Sequence, residues 1–483
     1  MVRRRTESAK PHLNALILIG AFFSASAAAD TLLDYCFHQI AGIQAEPAPR
    51  QRLAQLRLLQ DQLQLSSERF DSVEIGQCAY QLRQALAPLI TQATASTEQL
   101  NATAQLLHHQ RQPLKQLTLT DPRCLHGTPH EAPFTLDLSP SAVVPYLRGA
   151  EHEGCRRTVW RRYQSRGYPD NRTLLEAQIE AQWQLAKQAG YRDPLSQQLS
   201  SVPLGQHVER QDFLDSLTPD RVQPGWQRSA APPQPLARPA EQLARQTLEA
   251  LSQAMALTLV SIDEQQWQLW SDKRLLGYVS LHQAEHNARR ILQNHWLGHS
   301  PAIIELHYRQ SPWHAQHWWQ WVRTVGTALG QAHGQEIDHP SPNHGELGRA
   351  LALEWARQPE FQRSLLGQRV TAPPRYPASL LIEAQLALAL WQQPKLNDGV
   401  LQTRQTTLYQ RYLQQSPPSE LWPWYSSERM VFQPGALIQR LYLTQQAQRW
   451  VSQQTQTRTE LKPALPSSFP WSSLAATTDG SID

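Results

Sequence analysis

In segments between residues 257 and 281, and again at 301–308, the apolar residues alternate as in strands, and wherever else the chain carries a pattern they recur at helical spacing. L-T-L-V-S-I (257–262), W-Q-L-W (267–270) and L-L-G-Y-V-S-L (275–281) read as strands, with Ser271-Asp272-Lys273 as a turn. P-A-I-I-E-L-H-Y (301–308) adds a further strand. Before this block, residues 47–69, 74–94 and 96–117 carry Leu, Ile and Ala at helical intervals, and Leu53, Leu56, Leu59 and Leu63 form one stripe. Pro47, Pro49 and Ser96 lie near the expected starts. A second helical block covers 139–200, where Asn171 is placed to cap a helix and Gly190 to end it in the left-handed conformation. From 315 onward the pattern is helical again. The expectation is a mostly α chain with one small sheet, and 483 residues suffice for one large domain or two closely packed ones.

Residues 1–29 read as a secretory signal. Arg3, Arg4, Arg5 and Lys10 form a basic start, L-N-A-L-I-L-I-G-A-F-F (13–23) is apolar, and A-A-A (27–29) precedes Asp30. The apolar run is too short to span a bilayer, and no later run is longer. That segment holds four Lys/Arg and one Glu, so +3 of the formal net charge of +4 belongs to it and the remainder carries +1. No basic cluster points to nucleic acid. A periplasmic or secreted protein without a membrane span follows. In such a compartment Cys36, Cys78, Cys124 and Cys155 are expected to pair, with Cys36–Cys78 and Cys124–Cys155 favoured by order among three connectivities. The expected organisation is a signal (1–29), a disulfide-bearing helical region (30–134), a main helical domain (135–452) and a disordered Ser/Thr/Pro-rich tail (453–483). Within the main domain, Pro-rich residues 218–240 read as an extended linker or surface loop.

No G-x-S-x-G or phosphate-loop pattern is present. The stretch V-R-T-V-G-T-A-L-G-Q-A-H (322–333), followed by G-E-L-G-R-A-L-A-L-E-W (345–355), carries the most specific signal. It resembles the zinc-binding core of thimet-oligopeptidase-like metallopeptidases, V-x-T-L-F-H-E-F-G-H-x-x-H, through Val322, Thr324, Val325 and Gly330. In that register Thr327 and Gln331 stand where the family has its two His ligands, and Ala328 where it has the Glu general base. Glu346, in E-L-G-R-A-L-A-L-E-W, falls on the third ligand and Trp355 on a family Trp. Glu346 follows Thr327 by 19 residues, a shorter interval than in the family.

The likeness extends in order over about 135–450. G-C-R-R-T-V-W-R-R-Y-Q-S-R-G (154–167) and the run from Asn171 to Tyr191 resemble a family hallmark at Arg157, Tyr163, Arg166, Asn171, Leu174, Glu176, Ala186, Gly190 and Tyr191, with Trp183 in place of an Arg. P-G-A-L-I-Q-R-L-Y-L (434–443) retains Tyr442 from a late aromatic segment. The resemblance implies a neurolysin/thimet-oligopeptidase-like helical clamshell with a small β-sheet edging a central channel. It implies no cofactor, because a methyl group takes no proton from water and neither hydroxyl nor amide replaces imidazole on zinc.

The preferred expectation is an exported, catalytically inactive metallopeptidase homologue that binds a peptide or protein partner in its cleft. Glu346, Trp355, Tyr442, Trp318 and Trp319 are the candidate binding residues, although the Trp-rich runs 313–321 and 422–425 read equally as plain core. One alternative is an active zinc oligopeptidase with relocated ligands drawn from His333, His339, His344 and Glu346. Another is a structural envelope assembly factor.

Overall fold

The computed structural model describes residues 28–69, 73–86, 89, 116–125, 133–200, 202–204, 206–227, 235–297, 299–334 and 343–460. The chain is mostly helical with a small sheet, as its apolar periodicity predicts. Its expected signal lies almost wholly outside the described residues.

Three helices open it: α1 (Ala28–Gln44), α2 (Pro49–Arg69) and α3 (Val73–Leu86). Leu53 and Leu56 of the expected stripe pack with Ile40, Leu82 and Leu86 into their own core. The Cys36–Cys78 disulfide fastens α1 to α3, with the Cα atoms 6.0 Å apart. Trp296, from the connection between two strands of the later sheet, closes this core. Asp61 of α2 is buried there, accepting hydrogen bonds from the Asn294 amide N–H (3.2 Å), Asn294 Nδ2 (2.7 Å) and Trp296 Nε1 (3.2 Å). Burial pushes its carboxyl pKa up, against those donors and Arg57, so the bonds offset a real desolvation cost. We expect Asp61→Ala to cost about 2 kcal/mol, because three donors lose their acceptor together. Urea unfolding of wild type and variant measures it, and an unchanged midpoint excludes the brace.

The third expected helix, 96–117, falls mainly outside the described residues, and its end is a strand. Here β1 (Gln116–Leu119) pairs antiparallel with β2 (Phe134–Asp137). The helices α4 (Pro140–Gly149), α5 (Glu153–Gln164), α6 (Arg172–Gln188), α7 (Pro194–Gln198) and α8 (His207–Ser216) follow. Cys124–Cys155 ties the turn after β1 to α5, the Cα atoms 5.2 Å apart, so both pairings expected from chain order are present.

Asn171 does stand at the start of α6, but its side chain makes no cap. It is fully buried and donates to the Tyr425 carbonyl at 3.0 Å, while Arg166 donates to the Ser426 carbonyl at 3.0 Å. Tertiary docking has taken both polar groups. Gly190 behaves as expected: its φ of +82° turns the chain out of α6, and the Tyr191 N–H closes on the Ala186 carbonyl at 2.8 Å.

The described part of the Pro-rich stretch before residue 228 is irregular and mostly exposed, with one anchor at Trp226. Buried Trp226 packs edge-on against Trp160 with ring centroids 5.0 Å apart, and buried Arg156 holds the Trp226 carbonyl at 3.0 Å. Residues 228–234 lie outside the described set. The helix α9 (Ala240–Ala254) begins where the prolines stop and carries Leu243, Leu248 and Leu251 inward.

The sheet comprises β3 (Thr258–Ser261), β4 (Gln266–Ser271), β5 (Arg274–Ala284), β6 (Ala288–Gln293) and β7 (Ala302–Arg309) in the order β3-β4-β5-β7-β6. Only β5 and β7 run parallel. Four strands match the expected alternation. Unforeseen β6 (A-R-R-I-L-Q) lacks alternation and is held by its antiparallel neighbour β7. Ala302, Ile304, Leu306 and Tyr308 of β7 turn inward onto a core shared with α9 and α10 (Ala315–Ala332).

Then come α11 (Asn343–Ala356), α12 (Pro359–Leu366), α13 (Ala378–Trp391), α14 (Asp398–Leu413), α15 (Glu428–Phe432) and α16 (Pro434–Glu460). A second core gathers Leu175, Ile179, Leu381, Trp391, Trp424 and Ile438 around α13. Half-buried Tyr442 of α16 packs against both cores. The tail expected to be disordered from 453 is helical to Glu460, because α16 continues; the remainder lies outside the described residues.

Candidate functional site

Helices α10 and α11 approach so closely that their contact consists of backbone and glycine. A Cβ on Gly326 would stand 2.7 Å from the Gly348 carbonyl oxygen. One on Gly330 would overlap the His344 carbonyl and lie 3.0 Å from the Gly348 Cα, and one on Gly348 would overlap the Gly326 carbonyl. No side chain larger than hydrogen fits at these three positions without parting the helices.

This approach fixes where the positions that the resemblance assigns to ligands fall. Thr327 and Gln331, one turn apart, border Gly345 in the first turn of α11: a Cβ there would meet Thr327 Cγ2 at 3.2 Å and Gln331 Cγ at 3.1 Å. Glu346 is the next residue. The three positions that the resemblance assigns to metal ligands therefore gather at one end of the helix pair. Their chemistry does not fit zinc. Thr327 donates its hydroxyl to the Arg323 carbonyl at 2.8 Å. Gln331 Oε1 accepts from Arg289 Nε at 3.0 Å, so a fixed cation lies against the amide. Glu346 accepts from Arg349 Nε at 2.7 Å. Ala328 is buried in the apolar core. A hydroxyl and an amide donate weakly to zinc, and guanidinium groups on Gln331 and Glu346 oppose a second cation.

The remaining binding candidates are buried or half-buried. Trp318 and Trp319 are core residues, their indole N–H groups spent on Thr247 Oγ1 (3.1 Å) and the Thr371 carbonyl (2.9 Å). Both indoles pack inside the core that the sheet shares. Trp355 is likewise buried and stacks edge-on with Trp450, ring centroids 6.2 Å apart. Tyr442 packs edge-on against Phe213 at 5.8 Å.

His333 ends α10 and is buried beside His344 of α11, near His295, whose Nδ1 lies 2.6 Å from the Ala332 carbonyl. His339 is outside the described residues. Among the described residues, no three His, Cys, Asp or Glu side chains are grouped to hold a metal ion. Burial pushes the pKa of His295 and His344 below 6.5 and that of His333 well below it. A folded-state value under the unfolded one means that the unfolded chain binds more protons as pH falls through 6.5, so stability drops. We expect a loss of roughly 1 kcal/mol or more between pH 7 and 5.5. Urea midpoints at those pH values measure it, and His333→Gln should flatten the slope.

The feature that sequence reading missed is a set of arginines around this helix end. Arg323 of α10, Arg349 of α11 and Arg440 of α16 line one cleft together with Arg357 and Arg375. Arg323 and Thr327 are four residues apart on α10, as Glu346 and Arg349 are three apart on α11, so helical spacing carried the signal. It was hidden because each arginine stands alone in the sequence.

No protein-family model and no curated protein matches this sequence. Solved structures that resemble it include an oligoendopeptidase F from Bacillus anthracis str. Ames, at 11% identity and a TM-score of 0.38 over 92% of this chain and 78% of that one. A crystal structure described as BsuCP is similar at 10% identity and a TM-score of 0.34 over 89% and 86%.

Proposed function

We propose that the protein is an exported, metallopeptidase-like body without peptidase activity, which binds a peptide or protein partner. One observation carries this reading: the helix end that resembles a zinc site presents Thr327, Ala328 and Gln331, with Arg289 donating to the amide of Gln331. Hydrolysis needs an electrophile and a base there, and this constellation supplies neither. The two disulfides suit an oxidising compartment, and no helix among the described residues is long and apolar enough to cross a membrane.

Quenched peptides of varied sequence, incubated with the purified protein with and without added zinc, provide the test. We expect no turnover above a Glu346→Ala control, and saturable binding of a subset of the peptides by fluorescence anisotropy. Chelator-sensitive cleavage that disappears in Glu346→Ala would instead establish a peptidase.

A further inference from the structure

We propose that the cleft between α10, α11 and α16 binds a small doubly charged oxyanion of the phosphate or phosphomonoester class. This inference does not depend on peptide binding. Five arginines line the cleft: Arg323, Arg349, Arg357, Arg375 and Arg440. Three are neutralised within the protein. Buried Glu354 forms a two-pronged pair with Arg375, Nε to Oε1 at 2.8 Å and Nη2 to Oε2 at 2.7 Å, and a second ion pair with Arg357 at 3.1 Å, and the Asp220 carboxylate acts on both arginines as the second negative charge. Arg349 is held by Glu346.

Arg323 and Arg440 have no such partner. Neither guanidinium makes a hydrogen bond or ion pair with a described residue, and the buried Arg323 Nε is left without an acceptor. Burial and the charges of Arg349 and Arg323 bring the pKa of Arg440 down to about 10, against the opposing pull of Glu346. Arg323 is likewise lowered by burial and by Arg349. Both groups remain cations at neutral pH. A folded protein seldom keeps two desolvated, mutually repelling guanidinium groups without an anion to share them.

The number of charges selects the ligand. Arg323, Arg349 and Arg440 face the single carboxylate of Glu346, which leaves two positive charges in excess. A single carboxylate would balance one of them, whereas a phosphate dianion balances both and offers each fork two oxygens. Leu353, Leu380, Pro373 and Pro374 complete the lining of a small cleft. That suits a small group rather than a nucleic-acid backbone.

Titration calorimetry and thermal unfolding of the full chain at constant ionic strength provide the test, with inorganic phosphate, phenyl phosphate and acetate as probes. One phosphate per chain should bind and raise the melting temperature, with acetate at least tenfold weaker. A stronger response to phenyl phosphate than to phosphate assigns the site to a phosphomonoester, and the reverse assigns it to free phosphate. Arg323→Gln and Arg440→Gln should each lower phosphate affinity tenfold or more while leaving the ligand-free protein as stable as wild type, or more so. Arg369→Gln, at an exposed position outside the cleft, should bind as wild type. Absence of phosphate binding overturns the proposal. So does acetate binding as tightly as phosphate, or phosphate affinity unaffected by both cleft substitutions.

Discussion

Gly330→Ala and Gly348→Ala should each destabilise the protein by about 3 kcal/mol or more, among the largest effects any alanine can have here. At both positions the added methyl meets backbone rather than a movable side chain: the His344 carbonyl for Gly330 and the Gly326 carbonyl for Gly348. Rotamer changes cannot relieve such a clash, so α10 and α11 must separate. Separation exposes Ala328, Leu329, Leu347 and Leu351, all buried in the core that the sheet shares. Gly367→Ala offers a contrast, because that glycine has open space around it and only its φ of +69° opposes a side chain. Its cost should be nearer 1 kcal/mol. Chemical denaturation of the three variants checks the ranking, and equal costs would mean that the helix contact is looser than described.

The second large effect is expected at Arg210. Its side chain is 1% exposed and spans Asp193 Oδ1 at 3.0 Å, Ser196 Oγ at 2.6 Å and the Leu204 carbonyl at 2.9 Å. Asp193 in turn caps α7 through the Ser196 N–H at 2.7 Å. Removing the guanidinium strands a carboxylate in a site from which water is largely excluded. Arg210→Ala should therefore cost about 3–5 kcal/mol. The double variant Asp193→Asn/Arg210→Met, which removes both charges and keeps the volume, should recover much of that loss. Non-additivity between the double variant and its two singles, Asp193→Asn and Arg210→Met, identifies the ion pair; simple addition would assign the loss to packing alone.

Where local pattern decided the structure, the sequence could be read. Alternation along 257–281 and 301–308 placed four strands, because β7 and its neighbours bury one face and Ile304 and Leu306 must therefore alternate with their polar neighbours. Gly190 ended α6 for a reason internal to one turn of chain. Where a distant partner decided, reading failed. Asn171 has the chemistry of a cap but spends its amide on Tyr425, 254 residues away. The β6 strand has no periodicity of its own and exists because β7 offers an edge. Nothing local in the Pro-rich stretch reveals that Arg156 and Trp160 will hold Trp226.

The site divides in the same way. The motif over 322–333 gave the helix and the face on which Thr327 and Gln331 lie together. It could not show that Gly326 and Gly330 serve an interhelical contact, nor that Arg289, 42 residues from Gln331, reaches its amide. Trp318 and Trp319 sat between two readings because burial of an indole depends on what covers it, here Thr247 and the segment at Thr371.

Equilibrium dialysis of the purified full chain against buffered zinc, followed by metal analysis, tests the central claim most directly. A helix end occupied by hydroxyl, methyl and guanidinium-bound amide should retain far less than one zinc per chain, and Gln331→Ala should leave the result unchanged. One tightly held zinc per chain, lost in Glu346→Ala, would contradict the account.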